Sequence, residues 1–153
     1  MFLDNTTFTT VLASTPLVSI DLLVENAQGQ ILLGRRNNRP AQGFWFVPGG
    51  RILKNETLAS AFERLTLNEL GIKFSIEDAT LQGPYDHFYT DSVFGDAPST
   101  HYVAIAYRLR VAQLVNLPQE QHADYQWFSV AELLLHPDVH SNTKAYFSSK
   151  DET

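Results

Sequence analysis

Apolar residues along this chain fall into short runs punctuated by glycine, proline and asparagine, and the period of each run predicts an element. Phe8, Val11 and Leu12 recur at helical spacing, so residues 6–13 read as a short helix. Residues 17–24 and 30–36 are leucine- and β-branched-rich and read as strands. The turn at 26–29, ending in Gly29, makes them a hairpin. Residues 39–43 form a loop, 44–47 a short buried strand, and Pro48-Gly49-Gly50 a tight turn. Asn55 is the expected cap of the helix that follows, and Gly71 its terminator. Residues 80–88 and 101–111 read as longer strands, joined by a loop at 90–100 that reads as a mobile lid. Residues 125–128 form a last strand. A capping box, Ser129 with Glu132, opens a helix to about His136, and residues 141–147 form a final helix. Strands interrupted by a few helices, without regular β-α alternation, predict an α+β fold. A mixed sheet is packed between helices (α/β/α) in a single domain over residues 1–153, with 148–153 as a candidate disordered tail.

One side chain breaks the pattern. Leu58, Phe62 and Leu65 form an apolar stripe on the helix after Gly50, and Glu69 falls within roughly 20° of that stripe. A carboxylate aimed at a core is costly unless a cation or hydrogen bonds compensate it. It also stands in the last helical turn, where the dipole disfavours negative charge. Metal ligation accounts for both penalties. A structural salt bridge to Arg64 or Arg51, or a solvated glutamate, is the alternative.

Composition narrows the partners. The 153 residues suit one core, and there are no cysteines, so disulfides, zinc-thiolate sites and thiol catalysis are excluded. That usage is compatible with a reducing cytoplasm, and no apolar run is long enough to span a membrane. The net charge of −6 argues against a nucleic-acid partner. Yet Arg35, Arg36, Arg39 and Arg51 cluster around the glycine turn. Guanidinium forks match phosphate oxygens, so a small phosphorylated ligand is one reading and a solvated loop edge the other.

The segment Gly50, Glu56, Arg64, Glu69, Gly71, Ile72 matches the spacing Gly-x5-Glu-x7-Arg-Glu-aliphatic-x-Glu-Glu-x-Gly-aliphatic. On these residues the chain resembles the Nudix hydrolases. It departs at Leu65 and Asn68, usually glutamates, and at Thr66, usually aliphatic. Within that family it resembles the branch of GDP-mannose mannosyl hydrolases over roughly residues 1–147. The carrying segments are Asn38-Arg39-Pro40-Ala41-Gln42-Gly43, Trp45-Phe46-Val47-Pro48-Gly49-Gly50-Arg51, Glu120-Gln121-His122 and Val139-His140. In that branch the missing glutamates are the norm.

The resemblance implies a Mg²⁺-dependent hydrolase releasing GDP and free hexose from GDP-mannose or GDP-glucose. Water attacks the anomeric carbon with inversion. One Mg²⁺ per subunit is expected on Glu69, the Gly50 carbonyl and Gln121. His122 is the expected general base. Arg36 and Arg51 are expected to hold the diphosphate, Tyr102 to donate a hydrogen bond to it, and Arg64 to orient Glu69 or the glycine loop. Asp21, odd within an apolar strand, is assigned to sugar hydroxyls, with a buried loop-capping aspartate as the structural alternative. His87 is expected at the sugar or at lid closure. A homodimer is implied, with Phe2, Leu3 and Phe8 permitting an N-terminal interface that helps to build the nucleotide site. By residue type alone, Gln121 and His122 read as an exposed loop glutamine and a solvated histidine. A role in surface polysaccharide synthesis is likewise an implication of the resemblance.

Overall fold

A strand rich in β-branched and leucine residues can be buried on both faces, and β1 (Leu17–Glu25) is. It lies parallel to β6 (Thr100–Arg110), with pairing from Leu17 opposite Tyr102 to Glu25 opposite Arg110. β5 (Ala79–Tyr89) runs antiparallel to β6 at the sheet edge. On the other side come β2 (Ile31–Arg36) and β3 (Trp45–Phe46), while β7 (His122–Phe128) also pairs with β2. The computed structural model describes residues 3–112 and 122–148, and of 122 and 123 the backbone only.

The expected hairpin of β1 and β2 exists only at its closed end, where Glu25 faces Ile31. The Asn26 side chain builds the turn by accepting from Gln28 N and Gln30 N. Beyond it the strands part, because β4 (Gly49–Arg51) takes that edge of β1, with Asp21 opposite Gly49 and Ile20 opposite Gly50. Of the expected turn at Pro48-Gly49-Gly50, the two glycines are therefore strand, after a bend at Pro48. Glycine is required by proximity: a Cβ on Gly49 would overlap the Ile20 carbonyl oxygen and lie 2.7 Å from Asp21 Oδ1. A Cβ on Gly50 would come 2.6 Å from Leu65 Cδ2.

α1 (Asn5–Ser14) is capped by Asp4, which accepts from Thr7 N. α2 (Leu58–Leu70) is capped by Thr57, not Asn55. Asn55 sits in the preceding turn at φ 67°, a left-handed conformation that asparagine tolerates better than most residues. Gly71 ends the helix at φ 78°. Leu58 is 43% exposed, so the buried stripe starts one turn later, at Ala61 and Phe62. A 3₁₀ turn at Ile76–Asp78, capped by Ser75, was not foreseen by periodicity. The capping box of Ser129 and Glu132 does open α3 (Val130–Leu135). The last helix, α4 (Ser141–Lys144), stops short of residue 147.

Helices cover both faces of the sheet. Ile20, Leu22 and Val24 of β1 pack with Phe62, Leu65 and Leu70 of α2. Leu23 points the other way and joins Leu33, Trp45, Phe128, Leu133 and Tyr146. Asp21 shares this second face by the period of two. Among the described residues no helix is long and apolar enough to cross a membrane.

Substitution at the glycine strand checks this packing. Gly49→Ala meets backbone and should cost about 3 kcal/mol, whereas Gly50→Ala meets a leucine tip that can rotate and should cost about 1 kcal/mol. Urea denaturation of the two variants measures the order.

Candidate active site

The strand β4 and the start of β1 form one wall of a cleft of about 230 Å³. It is lined by Asp21, Arg36, Gly50, Arg51, His87 and Tyr102, together with Ser19, Phe46 and Tyr89. Six residues singled out from the sequence thus meet in one place although they span more than half the chain. Ser19 was missed, yet alternation could have found it, because it shares the face of Asp21 two positions on. Phe46 and Tyr89 are missed aromatic walls with no comparable sequence signal.

The cationic side of the cleft is built from two elements. Arg36 ends β2, where its Nε donates to the Asn38 carbonyl at 3.4 Å and its Cζ lies 5.5 Å from the Phe46 ring centre. Arg51 ends β4, with its Cζ 4.7 Å from the Phe8 ring centre. Among the described residues neither arginine is in an ion pair with a carboxylate, so both charges remain available to an anion. Burial raises the Tyr102 phenol, and the charges of Arg36 and Arg51 pull it back, so the hydroxyl sits in their field as a donor. A neighbouring hollow of about 510 Å³ shares these three residues and is bounded by Phe8 and Leu12 of α1. Leu3 is partly exposed, and Phe2 lies outside the described residues.

Asp21 and His87 line the same cleft. The Asp21 carboxyl is pushed up to about 6 by burial and by the charge of Glu69, against a hydrogen bond from Tyr146 and the charge of Arg36. His87 is 4% exposed and is pushed down to about 4, chiefly by burial, with His140 adding to the shift and Asp86 opposing it. It is neutral at pH 7. Its Nδ1 is 3.9 Å from Asp21 Oδ2, and its Nε2 has no hydrogen-bond partner among the described residues.

Glu69 is inward as its helical phase requires, at 4% exposure, and its Oε1 accepts from Gly49 N at 3.3 Å. Arg64 serves the glycine loop: it donates to both oxygens of Glu56, at 2.7 and 2.9 Å, and to the Arg51 carbonyl at 2.8 Å. Glu56 in turn accepts from Leu53 N. This clamp fixes the route from β4 to α2. Gln121 lies outside the described residues. Of His122 the backbone is described: it opens β7, three residues before the expected start, opposite Arg36.

The 90–100 loop touches other elements at several points. Arg39 Nη1 donates to Asp96 Oδ1 at 2.8 Å and lies 3.9 Å from Asp91 Oδ2. Ser92 and Gly95 exchange backbone hydrogen bonds, and Phe94 meets the edge of Phe8 at 5.8 Å.

A glycine strand that feeds an acid-bearing helix, beside a cleft with two guanidiniums that no carboxylate among the described residues pairs, is an arrangement suited to phosphorylated ligands. A model of the NUDIX domain matches residues 15–148, and the chain belongs to that family of hydrolases. The chain is 41% identical over 130 residues to the low-salt glycan biosynthesis protein Agl8 of Haloferax volcanii, covering 84% of this chain and 81% of that one. Among solved structures, a MutT NUDIX hydrolase from Burkholderia pseudomallei has a TM-score of 0.71 at 26% identity, covering 88% of this chain and 97% of the other. The NUDIX domain of Shewanella oneidensis NrtR, complexed with ADP ribose, has a TM-score of 0.66 at 18% identity, covering 94% and 89%. That second likeness shows the fold alone.

The raised carboxyl of Asp21 has a defined thermodynamic sign. Its ordinary value is 3.8, and the folded chain holds the proton until about 6. Its contribution to stability is therefore full below pH 4 and is lost as pH rises through 6. Asp21→Asn should gain roughly 3 kcal/mol relative to the native protein between pH 4 and 7.5. Paired denaturant titrations at the two pH values check the difference.

Proposed function

We propose that the chain is a Mg²⁺-dependent GDP-sugar hydrolase, taking GDP-mannose and GDP-glucose to GDP and free hexose. Water attacks the anomeric carbon and inverts it. The observation that carries this reading is that α2 turns Glu69 inward with a leucine, Leu65, one turn earlier on the same face. Leu65 is buried against Gly50, where most of the family carries a glutamate, and Asn68 is exposed. Hydrocarbon in that position removes a ligand for further metal ions. A site with one ion is poorly equipped to make a metal hydroxide for attack on phosphorus, but suffices to assist a diphosphate leaving group. Agl8, by its printed name a glycan biosynthesis protein, supports a sugar-bearing substrate.

The residues present fit magnesium. Glu69 and the Gly50 carbonyl are hard oxygen donors, and Mg²⁺ takes one or two carboxylates while keeping water and substrate oxygens. Among the described residues no cluster of three or more His, Asp or Glu side chains offers a full protein cage. Gln121 would complete the protein's share. When bound, the ion neutralises charge developing on the departing diphosphate.

Arg36 and Arg51 hold the diphosphate, and Tyr102 donates to its leaving oxygen. Asp21 and neutral His87 bind sugar hydroxyls and fix the ring. His122 takes the proton from the attacking water, on the face opposite GDP. Arg64 acts through the loop, keeping the Gly50 carbonyl in place. Phe2 and Leu3 belong to an N-terminal segment that completes the nucleotide site in a cytoplasmic homodimer of single-domain chains.

Turnover of GDP-mannose in ¹⁸O-water separates the chemistries. Label in the hexose supports carbon attack, and label in GMP or sugar phosphate overturns it. His122→Leu should keep the fold and lose on the order of 10²-fold in rate or more. Glu69→Gln should shift the Mg²⁺ requirement upward, read by titrating the metal. Binding of GDP-mannose without turnover would instead define a sensor.

A further inference from the structure

We infer that Tyr146 is a positioning residue of this cleft: its hydroxyl fixes the Asp21 carboxylate and its ring backs His87, so that both present one geometry to the sugar. The inference rests on the reading in which Asp21 contacts substrate.

Tyr146 follows α4 and lies 125 positions from Asp21 in sequence. It is buried, and its hydroxyl donates to Asp21 Oδ2 at 2.5 Å. Burial and the neighbouring carboxylate push the phenol well above its usual range, so it keeps its proton and acts as the donor of the pair. The same Oδ2 is the oxygen nearest His87 Nδ1, at 3.9 Å. Asp21 Oδ1 lies over Gly49, in space that a side chain there would take. Each carboxylate oxygen therefore has its own side, and the group cannot turn without breaking the tyrosine hydrogen bond.

The tyrosine is itself held from several directions. Its ring meets His87 at 5.5 Å and Tyr85 edge-on at 4.6 Å. Its backbone carbonyl accepts from Gln82 Nε2 at 2.9 Å, and Gln82 Oε1 accepts from Arg108 Nε at 2.7 Å. A relay of hydrogen bonds thus runs from β6, through β5, to the segment after α4, and ends on the Asp21 carboxylate. A carboxylate that must meet a hydroxyl in the transition state gains most from such fixing, since small misplacements are costly in rate.

A double-mutant cycle tests this with GDP-mannose as the substrate and Tyr146→Phe, Asp21→Asn and their combination as the variants. Tyr146→Phe keeps the ring and should lower kcat/KM about tenfold or more, mainly in kcat. The inhibition constant of GDP, which carries no sugar, should stay unchanged. The combined variant should match Asp21→Asn alone, because the tyrosine acts through that carboxylate. A full tenfold loss persisting in the Asp21→Asn background overturns the inference and leaves the contact of Asp21 with substrate standing. Native rate in Tyr146→Phe overturns it equally, as does a parallel loss of GDP affinity. Native rate in Asp21→Asn removes the carboxylate from the substrate, and the role of Tyr146 falls with it.

Discussion

The approach of the Gly49-Gly50 backbone to β1 and α2 is the constraint on which the cleft depends. Two missing side chains let β4 lie against Ile20 and Asp21 on one side and Leu65 on the other. That contact brings the Gly49 amide to Glu69 and delivers Arg51 to the cleft. It also leaves room for a carboxylate in the middle of an otherwise apolar strand. Arg64 and Glu56 secure the exit of this strand, so the arginine of the sequence motif acts on backbone placement. Bulk in either glycine position would disturb cation, carboxylate and helix together.

The cleft brings both signs of charge together. Arg36 and Arg51 supply the cationic groups, while Asp21 on the strand paired with β4, and Glu69 behind it, supply carboxylates. Burial raises Asp21, and Arg36 moderates it, so its charge state depends on what enters between them. A diphosphate neutralising the arginines and a hydroxylated group meeting Asp21 and His87 would satisfy both.

Much of this was legible in the sequence, for identifiable reasons. The phase of Glu69 on α2 predicted its burial, and Gly71 predicted the end of that helix. Asp21 stood out because strands of this kind seldom carry a carboxylate, and clustered arginines pointed to the cationic groups. The misses have equally physical causes. Asn55 resembled a cap by type, but Thr57 stood at the distance a cap requires. A glycine pair read as a turn became a strand because its neighbour in space, β1, lies far from it in sequence. Tyr146 had no signal, since pairing with Asp21 is purely a product of the fold.

The parallel pairing of β1 with β6, and the bond from Tyr146 back to Asp21, have a consequence for biosynthesis. β1 finds its parallel partner β6 only after some eighty further residues have emerged, and its carboxylate finds its tyrosine later still. β4 can cover one edge of nascent β1 early, but the edge that β6 takes stays open until then, and such an apolar edge invites aggregation. A binding-competent cleft thus requires residues as far along the chain as Tyr146 to have emerged.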